Sequence, residues 1–249
     1  MQESGQAELK SGRSGPVIDV LSRMGVRRFS AIEFLVVLAL WIVSAAFLWH
    51  IKYGDLIEVV LATLVMLSAV VAISRRRGTL VAAIFLATPA FVCKWVNHFR
   101  PDVMPPEVHM SIAIVFMVFL VAHLLRFILR APRVTSEVLC AAISVYLLLG
   151  VLWSLAYILV GELVPGSFSF AAGPTPQRAM VGFGAVYFSF VTLCTVGYGD
   201  VCPVSHEAQM LAIAETVTGT FYVTVLIARL VAFYSSWKPS ENGATKALP

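Results

Sequence analysis

Apolar residues along this chain come in long unbroken blocks rather than in the short alternations of a water-soluble domain. Blocks of spanning length fall at about 31–51, 56–74, 79–96, 108–129, 137–160 and 207–235. Each carries enough residues for a helix to cross roughly 30 Å of hydrocarbon. The first two are joined by the short turn Lys52-Tyr53-Gly54-Asp55. A further apolar, aromatic-rich run, GAVYFSFVTLC from Gly184 to Cys194, is too short to cross. Its length suits a half-helix that enters the membrane and returns. Asp200 and Pro203 then turn the chain back toward water, and a long apolar helix begins near His206. The pattern predicts an all-α membrane protein of six transmembrane helices, with a re-entrant helix between the fifth and sixth.

Composition agrees: 59% of residues are hydrophobic and 13% charged, and the mean hydropathy is +0.87, far from a soluble domain. The net charge of +4 matters less than where the cations collect. Arg23, Arg27 and Arg28 precede the first block, Arg75, Arg76 and Arg77 follow the second, Arg126, Arg130 and Arg133 close the fourth, and Lys238 follows the sixth. The intervening loops are poor in cations, so the positive-inside rule places both termini in the cytoplasm. Trp49, Tyr53, Trp95, Trp153 and Trp237 fall near the expected helix ends, as an interfacial aromatic belt would. Glu58 and Lys94 lie toward the outer ends of their blocks and are expected to snorkel.

Residues 1–30 are polar and mixed, without the pattern of a secretory signal. Val17, Ile18, Val20, Leu21 and Met24 recur there at helical spacing, which fits either a short interfacial helix or an unstructured segment. Residues 238–249 are expected to be an unstructured cytoplasmic tail. Cys93, Cys140, Cys194 and Cys202 have no metal-ligand spacing; the first three are expected to be small core residues, and the redox state of Cys202 stays open. The lack of N-x-Ser/Thr sites and the compactness of the chain suggest a prokaryotic plasma membrane.

Between the re-entrant run and the last block stands Thr195-Val196-Gly197-Tyr198-Gly199-Asp200. In an apolar chain, Thr-Val-Gly-Tyr-Gly presents backbone and hydroxyl oxygens that replace the hydration shell of a potassium ion. The two glycines allow backbone angles that a Cβ would resist.

From about Glu137 to Trp237 the chain resembles the pore module of tetrameric potassium channels, with outer helix, pore helix, filter and inner helix. The resemblance implies that Thr195, Val196, Gly197 and Tyr198 coordinate K+, with Gly199 closing the outer mouth and Asp200 holding the filter to the pore helix. It also implies a homotetramer among membrane lipids, K+ in the filter with no organic cofactor, and a glycine hinge at Gly219. Filter support is further assigned to Tyr187, Cys194 and Thr192. Three positions depart from the family pattern. Cys194 stands where threonine is usual, Val191 where some members carry a carboxylate that partners the filter aspartate, and Tyr187 and Phe188 where tryptophans are common. The Tyr187 hydroxyl is therefore expected to bond Asp200.

Residues 31–133 form a four-helix domain that resembles a voltage sensor in helix number, and 134–237 the pore domain. His123, Arg126 and Arg130 share one helix face. At about 1.5 Å per residue from Val108, Arg126 already lies roughly 27 Å across, so both arginines read as interfacial anchors rather than sensor charges. Pro89 interrupts the third block. Little or no voltage dependence is expected.

Glu215 lies within the last block, one turn before Gly219. A carboxyl there costs free energy unless solvated or paired. It reads either as a group behind the filter that couples inner-helix movement to it, or as a structural hydrogen bond. Thr220, Val223, Thr224 and Ile227 are candidates for the wall of a water-filled cavity. His109 and His123 read as core or interface histidines rather than ligands.

Two other readings compete with a K+-selective channel: a non-selective cation channel and a cation transporter subunit. The intact Gly-Tyr-Gly argues against the first, and the single filter motif without an internal repeat argues against the second. No HExxH, GxSxG or paired intramembrane aspartates point to an enzyme, and nothing points to nucleic acid.

Overall fold

The computed structural model describes residues 31–48, 53–73, 77–100, 103–171 and 180–236. Residues 17–24 and 238–249, together with Trp49, Trp237, Arg75, Arg76 and Arg178, lie outside the described residues. The elements are α1 (Ala31–Leu48), α2 (Gly54–Ile73), α3 (Arg77–Phe99), α4 (Pro106–Arg130), α5 (Ser136–Leu163), β1 (Phe168–Phe170), α6 (Gly182–Leu193), β2 (Val201–Pro203) and α7 (His206–Ser236). Among the described residues, α1 to α5 and α7 are each long and apolar enough to cross a membrane. This is a multi-pass membrane protein. The remaining helix, α6, is too short to cross.

Local chemistry sets the element boundaries. Pro105 and Pro106 open α4, whose first amides have no helical partner in any case. Ala131, Pro132 and Arg133 end it, and Thr135 caps α5 by accepting the Val138 N–H at 3.4 Å. The resulting linker is too short to hold a helix, so α4 folds back directly against α5. Pro89 sits inside α3, which continues past it.

The core centres on α5, with α1 and α4 packed along it. Phe116, Leu120, Leu124 and Ile128 recur every fourth residue on α4 and are buried against Ala141, Val145 and Leu148 of α5 and Phe34 and Leu38 of α1. Small residues on the buried side of α5, among them Ala141, Ala142, Ser144 and Gly150, allow this close approach. In lipid, where the hydrophobic effect does not drive helices together, that closeness supplies the packing attraction. Trp153 packs between the two core clusters with its indole nitrogen buried, so it is a core residue and not part of the aromatic belt. Glu58 and Lys94 are not separate snorkelling charges either: they pair at 3.2 Å between α2 and α3.

Two glycines decide how tightly α6 is held. A Cβ on Gly150 would lie 2.6 Å from the ring of Phe190, and one on Gly219 would lie 2.7 Å from the Leu193 carbonyl oxygen. At Gly161 the nearest atoms would be 3.8 Å away. Gly150→Ala and Gly219→Ala should therefore each destabilise the purified protein by about 1–3 kcal/mol through overpacking. Gly161→Ala should be neutral or stabilise by up to about 1 kcal/mol. Thermal unfolding of the three variants in detergent checks this ordering.

Candidate functional site

The site is built on α6. Its buried face carries Ala185, Phe188, Ser189 and Leu193, a helical stripe that sinks into the groove between α5 and α7. The chain leaves the helix through bonds back onto its last turn. Cys194 N–H donates to Phe190 O at 3.0 Å, Thr195 N–H to Thr192 O at 2.9 Å and Val196 N–H to Val191 O at 2.9 Å. Thr192 thus contributes its backbone carbonyl to the start of the loop.

The loop backbone then alternates in hand. Thr195, Gly197 and Gly199 have φ of +58°, +58° and +78°, and neither Val196 nor Tyr198 between them has a positive φ. A β-strand sends successive carbonyls to opposite sides, whereas turning over every second residue aims them to one side. Glycine takes the left-handed state at little cost. Thr195 does not, and bears about 1–2 kcal/mol of local strain. Such strain in a non-glycine residue marks a functional constraint. Cys194 to Asp200 are all exposed on the single chain.

The outer end of the loop is fixed at several points. The Tyr187 hydroxyl donates to Asp200 Oδ2 at 2.9 Å, and the Val201 N–H donates to Oδ1 at 3.1 Å. The rings of Tyr187 and Tyr198 lie parallel, 6.5 Å apart between centroids. Beyond Asp200, β2 pairs antiparallel with β1 in the register Phe168↔Pro203, Ser169↔Cys202 and Phe170↔Val201, and Ala171 N–H donates to Asp200 O at 2.9 Å. These two strands depart from the all-helical expectation. They are three residues each and carry no alternation long enough to read as strands. The Cys202 thiol is free and lies 3.5 Å from Gly199 O.

Behind the loop, Phe188 meets Tyr157 and Phe168 edge to face at 4.8 and 5.7 Å, contacts worth about 0.5–1.5 kcal/mol each beyond burial. Cys194 Sγ lies 3.3 Å from the Tyr146 hydroxyl. Tyr146 stacks on Tyr222, whose hydroxyl donates to Ala142 O at 2.7 Å. Glu215 is fully buried and lies within hydrogen-bond distance of both flanking helices, 2.5 Å from the Tyr157 hydroxyl and 2.5 Å from Ser189 Oγ. Gly219, one turn on, touches Leu193. This contact gives the glycine a packing reason, and α7 runs through it unbroken.

The structure therefore gathers Tyr187, Thr192, Cys194, Asp200, Glu215 and Gly219 around α6 and the loop. Thr220, Val223, Thr224 and Ile227 are exposed, away from that contact. Thr220 and Thr224 donate to the carbonyls of Thr216 and Thr220, which leaves hydroxyl lone pairs pointing outward. Sequence reasoning missed Gly150, Tyr157, Ser189 and Arg229. A glycine inside an apolar helix block is a signal of close approach and marks Gly150. Arg229 donates to Ala131 O at 2.9 Å, tying the base of α7 to the α4–α5 linker, and no local pattern announces it.

Removing the Tyr187 hydroxyl leaves Asp200 with its backbone donor alone. Tyr187→Phe should loosen the outer end of the loop by about 1.5–3 kcal/mol, the effect of one bond to a charged group. Hydrogen exchange of the amides of Thr195 to Val201 checks this, and unchanged protection would remove Tyr187 from the support of the loop.

Residues 134–236 match the family model described as "Ion channel". The chain is 37% identical over 86 residues to two pore potassium channel c of Oryza sativa subsp. japonica, covering 33% of this chain and 18% of that one. It is 42% identical over 48 residues to two-pore potassium channel 4 of Arabidopsis thaliana, covering 19% and 17%. With two-pore potassium channel 5 of the same plant the identity is 33% over 49 residues, covering 20% and 12%. The chain thus spans less than a fifth of the length of the curated relatives it matches. No solved structure matches it. Helices α5, α6 and α7 and the loop between the last two therefore coincide with an ion-channel family match, and the relatives are potassium channels.

Proposed function

We propose that the chain is one subunit of a potassium-selective channel, in which four copies surround a common axis and each lends its Thr195–Gly199 loop. The observation that carries this reading is the alternating backbone at Thr195, Gly197 and Gly199, held at both ends by α6 and by the β1–β2 pair. Carbonyls aimed to one side replace the water around a dehydrated cation, which no other arrangement of this backbone explains as well. Thr195, Val196, Gly197 and Tyr198 are assigned as the K+ ligands. The carboxyl end of α6 adds partial negative charge near the inner mouth. The exposed threonines of α7 line the cavity below, their outward lone pairs favouring a cation.

The same reading places the channel in a prokaryotic plasma membrane with both termini cytoplasmic. It also gives the channel little voltage dependence. Each charge crossing the field is worth about 2.3 kcal/mol per 100 mV, and steep gating takes three to four of them per subunit. Arg126 and Arg130 are exposed near the end of α4 rather than stacked through its middle.

Reconstituted in liposomes, the protein should pass K+ and exclude Na+, with block by Ba2+. Gly197→Ala and Gly199→Ala should abolish K+ flux, because each places about 1–2 kcal/mol of strain on every copy of the loop. Equal passage of Na+, or an assembly without fourfold symmetry, overturns the proposal. Recorded currents should show a gating charge well below one elementary charge per subunit, and a value of three to four would restore the voltage-sensor reading.

A further inference from the structure

Three short contacts link Ser189 and Glu215 to their neighbours. Its Oγ lies 2.5 Å from Glu215 Oε1 and 2.7 Å from the backbone oxygen of Gly150, and the Tyr157 hydroxyl lies 2.5 Å from Glu215 Oε2. Hydrogens can be counted. Ser189 and Tyr157 have one each, and the Gly150 carbonyl has none to give. Tyr157 commits its hydrogen to Oε2. If Glu215 were ionised, the single Ser189 hydrogen would have to serve two acceptors at once. A hydroxyl hydrogen shared at 2.5 and 2.7 Å cannot align with both, so two bare oxygens would be left in contact in a dry site. A third hydrogen resolves this. With a proton on Oε1, Glu215 donates to Ser189, Ser189 donates to Gly150 O, and Tyr157 donates to Oε2.

We propose that Glu215 is a positioning residue that works as the neutral carboxylic acid, clamping the pore helix α6 to both the outer helix α5 and the inner helix α7, and that losing this proton releases the clamp and lowers conduction. The inference goes deeper into the channel reading and rests on it for the conduction step. Geometry makes the link to the filter direct. Glu215 and Gly219 are one turn apart on α7, and their partners Ser189 and Leu193 are one turn apart on α6. Leu193 is two residues before the strained Thr195. The seam is therefore two rungs, one polar and one of bare close approach, ending at the filter.

The titratable groups that face Glu215 are few. From α5 they are Tyr157, which bonds it, and Tyr146, whose hydroxyl meets the Cys194 thiol at the end of α6. Tyr222 stacks on Tyr146 from α7 itself. Among the described residues Glu215 forms no ion pair, so no cation is there to hold a carboxylate. Ionisation would leave a buried charge together with an unshielded contact between Ser189 Oγ and Gly150 O, and relief requires α6 to part from one neighbour.

The test uses the full chain. In liposomes, K+ flux of the unmodified protein should hold at low pH and fall about tenfold per pH unit above its midpoint, as loss of one proton requires. Glu215→Gln keeps an acceptor for Tyr157 and a donor for Ser189, so it should conduct with no such fall. Ser189→Ala should shift the midpoint by about one unit, and Tyr157→Phe serves to exclude titration of the phenol. A Glu215→Gln profile that falls like the unmodified protein's, or a midpoint unmoved in Ser189→Ala, overturns the proposal. Infrared spectra provide a readout that needs no conduction. The purified protein at neutral pH should show a protonated-carboxyl carbonyl band that Glu215→Gln lacks. Absence of the band overturns the neutral clamp even in a working channel, while its presence in a protein that passes no K+ leaves the clamp standing and sinks the channel reading instead.

Discussion

The structure depends on holding a short helix at membrane depth without water. Helix α6 cannot cross the bilayer, so its polar groups and the irregular loop that follows must be satisfied by protein. Apolar packing alone does not pull helices together in lipid, because the tails solvate leucine as well as leucine does. Contact distance and buried hydrogen bonds are what remain. Gly150 and Gly219 bring α5 and α7 against Phe190 and Leu193, and the Tyr157–Glu215–Ser189–Gly150 chain crosses all three helices. A strained Thr195 persists only when its surroundings over-determine it, and this seam ends two residues before it.

The two ends of the loop are secured by different chemistry. The inner end is dry, with Glu215, Ser189 and Leu193 almost fully buried. The outer end is wet, since Asp200 is exposed on the single chain, and there a phenol–carboxylate bond and a three-residue ladder do the holding. Buried bonds are strong and lose much when broken, while exposed ones exchange readily with water. Disturbance of the outer end should therefore be graded, and disturbance of the inner end closer to all or none.

How much of this was legible in the sequence follows from the range of each signal. The six apolar blocks came within a few residues of the six long helices because bilayer thickness imposes length directly. The run Gly184–Cys194 was legible as a helix too short to cross for the same reason, and Gly197 and Gly199 as positions of left-handed backbone. The Tyr187–Asp200 contact was legible because Val191 could not serve and Tyr187 brings a hydroxyl to a position where the resembled family commonly carries tryptophan. Ser189 gave no warning: one serine in an apolar helix usually back-bonds to its own turn, as Thr216 does. That it reaches Gly150 and Glu215 depends on three helices meeting at one place. Strands β1 and β2 were missed because a three-residue ladder is fixed by the closure of the loop around Asp200 rather than by its own pattern. Glu58 and Lys94 looked like separate anchors because their pairing is thirty-six positions apart in the chain.

The peripheral helices touch this machinery at few points, which bounds what they can do. Helices α1 and α4 lie along α5, and the α4–α5 linker is bonded by Arg229 at the base of α7. Helix α4 is thus connected to the loop by two routes, through α5 at Gly150 or through Arg229 and the length of α7. The first arrives at α6 itself, since the Gly150 carbonyl is the last acceptor of the buried chain. The second runs along a helix that continues unbroken past Gly219, which meets Leu193 there. Both routes end on the same turn of α6. The four-helix unit therefore meets the support of the loop at that one seam.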